Sequence, residues 1–101
     1  MKTILNQKMY NTETARAIGS YANDFHGNDF RSEMETLYRK HTGEFFLAGE
    51  GGPMTKYREA VGDMWGYGHA IIPLSECEAK EWVERHLSTD DYINLFGEPE
   101  E

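Results

Sequence analysis

Apolar and polar positions alternate most regularly in the middle of the chain. Between residues 34 and 50, two segments with this period flank His41-Thr42-Gly43. This spacing predicts a β-hairpin with Gly43 in a left-handed conformation. The second segment contains Phe45-Phe46-Leu47-Ala48, so both of its faces are apolar. Because a strand buried on both faces belongs inside a sheet, we expect this strand to be central.

The C-terminal quarter carries the clearest helical pattern. Ser75 followed by Glu78 is a capping-box sequence, and an apolar stripe at helical spacing comes after it. The stripe consists of Ala79, Trp82, Val83 and Leu87. These features predict a helix over residues 76–87. Ser88 with Asp91 repeats the capping arrangement and predicts a short helix over residues 89–96.

Another helix is predicted near the N-terminus. The apolar residues at helical spacing there are Ala15, Ile18, Tyr21 and Ala22. Asn11 or Thr12 is suited to cap such a helix, and Glu13 would lie in its first turn, where negative charge is favourable. We therefore expect a short helix over residues 13–22.

The remaining stretches are less distinct. Residues 2–11 form either an extended lead-in or a strand, and residues 54–61 form either a helix or a third strand. Residues 69–72 predict a short buried strand that Pro73 closes. The run Gly49-Glu50-Gly51-Gly52 is interpreted as a tight turn that changes the direction of the chain.

These elements together predict the fold class and the domain organisation. We expect an α+β fold, in which a small, mainly antiparallel sheet of three or four strands is built around the central hairpin. Two or three helices pack on this sheet. We expect a single domain over residues 1–97, a size suited to one hydrophobic core, and a flexible acidic tail over residues 98–101.

Charge is distributed unevenly along the chain. The protein has 10 basic and 18 acidic residues and a net charge of −8, of which residues 76–101 contribute −7. An acidic protein is poorly suited to bind naked nucleic acid, which attracts basic surfaces. It suits a basic protein partner, although a solvated helix face has the same composition. The candidate acidic binding residues are Glu76, Glu81, Glu84, Asp90 and Asp91.

Residues with catalytic or metal-binding chemistry form no recognisable set. The four histidines lack the spacing of a zinc site, and the one cysteine, Cys77, has no partner for a disulfide. The glycine run lacks the lysine of a phosphate-binding loop, and no pair of carboxylates is set apart for acid–base catalysis. We therefore expect a non-enzymatic protein without catalytic residues, metal ion or cofactor.

Two aromatic residues lie between glycines in a predicted loop. Trp65 and Tyr67 either fold back onto the core or form an interaction surface. The second alternative is attractive because aromatic side chains dominate the energetics of many protein interfaces. They are therefore the second candidate binding feature of the chain.

Several segments, taken in order and spacing, resemble a group of small acidic proteins. The matching segments are Met9–Ala15, Glu35–Lys40, Thr42–Leu47, Gly49–Met54, Ile71–Ser75 and Glu78–Trp82. The group is found in phages, plasmids and conjugative elements of Firmicutes. The chain is similar to members that are anti-CRISPR proteins proposed to inhibit type II systems. It departs from them at Ala48 and Cys77, and the resemblance brings no catalytic residue.

The resemblance and the acidic last quarter together lead to a functional hypothesis. They imply a non-enzymatic, anti-CRISPR-like inhibitor that binds a CRISPR effector nuclease or its guide-RNA assembly, with an acidic surface that imitates nucleic acid. The alternative is a regulatory or antitoxin-like protein-binding module of a mobile element. There is no run of about 18 apolar residues, and the N-terminus is too polar for a signal peptide. We therefore expect a location in the cytoplasm of a bacterial host, without a membrane partner.

Overall fold

A four-stranded antiparallel sheet forms the centre of the fold. The computed structural model describes residues Met1–Glu101, which form eight strands and two helices. In chain order the elements are β1 (Lys2–Leu5), β2 (Lys8–Asn11), β3 (Arg16–Ala22), β4 (Glu33–Arg39), β5 (Phe45–Gly51), β6 (Glu59–Val61), β7 (Met64–Gly66), β8 (Gly68–Leu74), α1 (Glu76–His86) and α2 (Thr89–Phe96). The central sheet has the strand order β3-β4-β5-β8, and β1 with β2 and β6 with β7 form two-stranded ribbons. The predicted α+β class is confirmed.

The central hairpin is the one that the alternating pattern predicts. β4 and β5 pair antiparallel with Leu37 opposite Leu47. Gly43 has a φ of +94° in the connecting turn, a conformation that favours glycine. β5 lies between β4 and β8, and its residues Phe45, Phe46 and Leu47 are all buried. The strand is therefore central, as its two apolar faces predict.

Both C-terminal helices pack on one face of the sheet, and both predictions for them are confirmed. Each begins with a complete capping box, at Ser75 for α1 and at Ser88 for α2. The core beneath the helices contains Leu37, Phe45, Leu47, Ala79, Trp82 and Val83. Because one side of α1 is buried against the sheet, its opposite side is left to solvent.

The other face of the sheet is covered by the β1–β2 hairpin. Asn6 and Gln7 form its turn with φ values of 52° and 67°, a two-residue turn whose twist matches that of paired strands. Tyr10 of β2 is buried, and its ring meets the ring of Phe46 edge-on at 5.4 Å between centroids. Of the two alternatives for residues 2–11, the strand is correct in type, but the segment forms two paired strands and a turn in place of a single strand.

The predicted N-terminal helix is wrong, because Arg16–Ala22 form the edge strand β3. The pairing of β3 with β4 shifts between Ala17 and Gly19, so Ile18 is the extra residue of a β-bulge. Both Ile18 and Tyr21 pack against the core beneath the helices. The bulge thereby gives a strand the three-residue apolar spacing on which the helix prediction depends.

The glycine run continues a strand and is not the tight turn that we expected. β5 extends through Gly51, which lies opposite Gly68 of β8. A Cβ atom at Gly49 would overlap the ring of Tyr57, and one at Gly51 would overlap the side chain of Thr55. These glycines therefore form a strip of sheet without side chains, on which the chain after β5 lies flat.

Two further boundaries differ from the predictions. Of the open stretch 54–61, Glu59–Val61 form strand β6, which pairs with β7 and not with the central sheet. β8 continues to Leu74, so Pro73 lies inside the strand and does not close it. Because β8 is an edge strand, a residue that lacks an N–H group is tolerated there.

Candidate functional site

All five predicted acidic residues lie exposed on the two helices. Glu76 begins α1, and Glu81 and Glu84 lie on the side of α1 opposite its buried residues, given 3.6 residues per turn. Asp90 and Asp91 lie in the first turn of α2, where negative charge is favourable. We name these five residues the acidic surface.

Three carboxylates of the acidic surface have no ion-pair partner within the protein. Glu81, Glu84 and Asp90 form no salt bridge with the chain's own basic side chains. Glu76 lies 4.0 Å from a lysine one turn further along α1, and Asp91 accepts a backbone hydrogen bond in the cap of α2. These three carboxylates are therefore available for ion pairs with a basic partner.

The short connection between the helices brings only part of this surface together. Leu87 and Ser88 alone separate α1 from α2, and Glu84 lines a cavity of about 330 Å³ together with Ser88 and Thr89. Glu84 and the start of α2 thus form one continuous surface. Glu76 lies at the other end of α1, about 12 Å from Glu84 along the helix axis.

Trp65 and Tyr67 do not fill the core, so that alternative is wrong. Trp65 on β7 is 53% exposed and Tyr67 is 45% exposed. The guanidinium carbon of Arg58 lies 4.1 Å from the centre of the Trp65 ring, and Val61 and Met64 near the turn are exposed as well. The β6–β7 ribbon therefore presents tryptophan beside arginine, both of which are enriched at interface hot spots.

The acidic surface and the ribbon are separate features. The hydroxyl of Tyr67 donates a 2.9 Å hydrogen bond to the main-chain carbonyl of Asp29, and the cation stacked on Trp65 is Arg58. Neither aromatic residue is hydrogen-bonded to the acidic surface. The structure therefore offers two candidate binding features.

A buried glutamate joins the sheet, α1 and the segment before the ribbon. Glu35 of β4 is 2% exposed. Its Oε1 accepts a hydrogen bond from Nε1 of Trp82 at 3.0 Å, and its Oε2 accepts from the Tyr57 hydroxyl at 2.5 Å. The ammonium group of Lys56 lies 2.7 Å from the same Oε2. Glu35 therefore fixes the chain that leads into the ribbon beside α1.

These contacts keep the Glu35 carboxylate ionised. Burial acts to raise the pKa of Glu35, but the hydrogen bonds from Lys56, Tyr57 and Trp82 outweigh burial and hold that pKa below its ordinary value of 4.5. Burial, and then the adjacent carboxylate, raises the pKa of Tyr57. The phenol therefore keeps its proton and remains a donor, and the arrangement serves to position the surrounding elements.

Sequence reasoning missed Glu35, although the pattern contains a signal for it. Strand alternation places Glu35 on the same face as Leu37, and both side chains are buried. A charged residue at an inward position needs partners that satisfy it. Those partners, Tyr57 and Trp82, are 22 and 47 residues away, so the folded structure is needed to identify them.

The histidines and the cysteine do not converge on one place. No group of three or more histidine, cysteine, aspartate or glutamate side chains is positioned to hold a metal ion. The ring of His86 on α1 stacks on that of Tyr21 on β3 at 3.8 Å between centroids, and burial lowers the pKa of His86. Cys77 is exposed on α1. His86 therefore contributes to helix packing on the sheet.

Comparisons with known proteins identify no relative of this chain. No family model, curated protein or solved structure matches it. Neither helix is both long and apolar enough to cross a membrane. What the protein binds is therefore inferred from the chemistry of its surface.

Proposed function

We propose that this protein is a non-enzymatic inhibitor that binds a CRISPR effector nuclease, or its guide-RNA assembly, in the cytoplasm of a bacterial host. The observation that carries the proposal is the acidic surface, where Glu81, Glu84 and Asp90 are exposed and free of internal ion pairs. The resemblance to anti-CRISPR proteins of mobile elements indicates the class of partner.

The charge of the carboxylates suits a protein channel that normally holds nucleic acid. Glu81 and Glu84 are separated by about 4.5 Å along the helix axis, so two carboxylates without internal ion pairs lie close together on one side of α1. A basic channel is therefore attracted to this side of α1. Long-range attraction also speeds the encounter, and the occupied channel is closed to RNA or DNA.

The first experiment measures DNA cleavage by a purified type II effector nuclease. The protein is added before guide loading in one arm and after guide loading in the other. We expect inhibition in at least one arm. Inhibition confined to the first arm indicates interference with guide assembly, and inhibition in both arms indicates a block on target DNA or on the nuclease itself. Full cleavage in both arms, with nucleases from several hosts, contradicts the proposal.

A second experiment tests the acidic surface itself. We expect the double substitution Glu81→Lys with Glu84→Lys to raise the half-inhibitory concentration about tenfold or more at low salt, because it reverses the charge facing a basic channel. The difference should shrink at high salt, where charges are screened. Glu13→Lys with Glu98→Lys is the matched control, since it changes the net charge equally outside the acidic surface. Equal inhibition by both variants contradicts a role for the helices.

The exposed ribbon favours a second candidate, a regulatory or antitoxin-like module that binds a protein encoded by the same mobile element. Trp65 is exposed beside Arg58 on one face of the ribbon, and Val61 and Met64 are exposed on the other face. Such exposed apolar side chains suit a partner recognised by apolar contact. The test is affinity purification from cells that carry the element. For this candidate, we expect the wild-type protein to retain a protein encoded beside it on the element and to retain no effector nuclease. The Trp65→Ala variant should lose that protein.

A further inference from the structure

A cavity of about 480 Å³ lies at one end of the central sheet. Its floor is a single row of residues across all four strands: Ala22 pairs with Met34, Met34 with Glu50, and Glu50 with His69. The β1–β2 hairpin packs further along the same face, against Phe46. The end of the sheet is therefore left open as a recess whose floor has a fixed register.

One wall of this sheet-end cavity is the loop between β3 and β4, and hydrogen bonds hold it in place. The side-chain oxygen of Asn23 accepts from the amides of Phe25 and Glu33 at 3.3 and 3.1 Å. From the other wall, the hydroxyl of Tyr67 donates to the carbonyl of Asp29 at 2.9 Å. The two walls are thus tied together, and the cavity is formed before any ligand arrives.

The cavity has the charge of a site for a cation. Its lining includes Glu33 and Glu50 but neither lysine nor arginine. Glu50 forms no ion pair within the protein. Glu50 lies on the floor beside Met34, whereas strand alternation places the side chain of Glu33 on the opposite face of β4. An anion such as phosphate would be repelled by the Glu50 carboxylate, and no cluster of three ligands is present for a metal ion.

The other lining groups favour a planar organic cation. The rings of Phe25 and Tyr67 and the thioether of Met34 line the cavity. Phe25 already carries a guanidinium, since Arg31 lies 3.9 Å from the centre of its ring. A guanidinium stacks on aromatic rings and bonds to a carboxylate through two parallel N–H groups, which the compact ammonium group of lysine does less well.

We infer that the sheet-end cavity binds an arginine side chain of a protein partner, with Glu50 as the carboxylate that receives it and Tyr67 and Met34 as the surface on which it lies. The volume is sufficient for one side chain and the backbone on either side of it. The inference deepens the proposed function and rests on it in one respect, namely that the partner displays basic residues. It adds a contact in a different part of the fold from the acidic surface.

The test is an NMR titration of the isotope-labelled protein with the peptide acetyl-Gly-Arg-Gly-amide. We expect saturable shifts of the amide signals of Gly27, Gly51 and Gly68, all of which line the cavity. A peptide with citrulline in place of arginine has the same shape without the charge and should bind at least about fivefold more weakly, a difference typical of one lost charge-assisted contact.

Two variants separate the cavity from general attraction to an acidic protein. Glu50→Gln should weaken binding of the arginine peptide about fivefold. Glu98→Gln, which removes an equal charge after α2, should leave binding unchanged. Shifts centred on α1 and α2, equal binding of the citrulline peptide, or unchanged binding by Glu50→Gln would each overturn the inference. Because no nuclease is present, this result is independent of whether the protein inhibits DNA cleavage.

Discussion

The hydroxyl of Tyr57 donates a 2.5 Å hydrogen bond to Oε2 of Glu35, although the two residues are 22 positions apart. The other oxygen of that carboxylate accepts from the indole of Trp82 at 3.0 Å. Strand β4, helix α1 and the segment that leads into the ribbon therefore share one ionised acceptor. Because the group is buried, the stability of the whole arrangement depends on keeping both oxygens satisfied.

We expect Glu35→Gln to lower the free energy of unfolding by about 2–4 kcal/mol, in the range measured when a buried charged network loses one member. The side chain of glutamine keeps one oxygen that accepts a hydrogen bond. Its NH₂ group, however, faces either the Tyr57 hydroxyl or the Trp82 indole N–H, and these groups are themselves donors. Urea unfolding followed by circular dichroism measures the change. Glu59→Gln is the matched control at an exposed position and should change stability by less than about 0.5 kcal/mol. Equal midpoints for the two variants would show that the carboxylate is dispensable.

Stability should fall in acid because of the same residue. The pKa of Glu35 in the folded protein is below its ordinary value of 4.5, so the folded state binds this proton more weakly than the unfolded state does. The contribution of Glu35 is therefore fully present above about pH 5 and is lost as the pH falls through the folded pKa. Burial raises the pKa of Glu33, which acts in the opposite direction.

The measurement is therefore the difference in unfolding free energy between wild type and Glu35→Gln, taken at several values from about pH 7 to about pH 3. Glu33 is present in both proteins, so its own titration largely cancels from the difference. We expect the difference to be constant near neutrality and to shrink below about pH 4.5. A difference that stayed constant down to pH 3 would refute the assignment of a lowered pKa to Glu35.

Gly49→Ala should destabilise the protein through steric overlap. A methyl group at this position would overlap the ring of Tyr57 and displace its hydroxyl from Glu35, and overpacking of this kind costs about 1–3 kcal/mol. Gly66→Ala is the control, because the nearest atom to its methyl would be a methyl of Val61, at 3.0 Å on the exposed ribbon. Thermal unfolding of the two variants compares the costs, and a Gly66→Ala loss as large as that of Gly49→Ala would contradict the close-packing role.

The sequence predicts those parts of the fold whose signals are local. The two capping boxes at Ser75 and Ser88 involve residues three apart, and the hairpin at Gly43 joins neighbouring segments, so both are visible in the chain. The helix prediction for residues 13–22 fails because the signal that decides the structure there is not local. A bulge at Ile18 is defined by the pairing with β4, and a pattern of residues within one strand contains no information about its partner.

The candidate binding features also differ in whether the sequence alone could predict them. Exposure of Glu81 and Glu84 follows from the stripe that buries Ala79, Trp82 and Val83 on the other side of α1, and could be predicted from helical periodicity. The recess beside Glu50 could not, because its floor is a row of residues from four strands and its wall comes from the loop tied to Tyr67. Such a site exists only once the register of the sheet is known.

Substitution of the two tryptophans should change stability by different amounts, because one is in the core and the other is on the surface. Trp82 is 6% exposed and donates to Glu35, whereas Trp65 is 53% exposed on the ribbon. We expect Trp82→Phe to cost about 1–3 kcal/mol, since it leaves both a cavity and an unsatisfied carboxylate oxygen. Trp65→Phe should cost less than about 0.5 kcal/mol.

Each variant retains a single tryptophan, so fluorescence quenching by acrylamide reports its exposure directly. The Trp82→Phe protein emits from Trp65 and should be quenched several-fold more strongly than the Trp65→Phe protein, which emits from Trp82. Both proteins are compared under native conditions, with quenching in urea as the reference for full exposure. Equal quenching in the native state would mean that the ribbon folds back over Trp65, and would remove the surface on which the protein-binding module candidate depends.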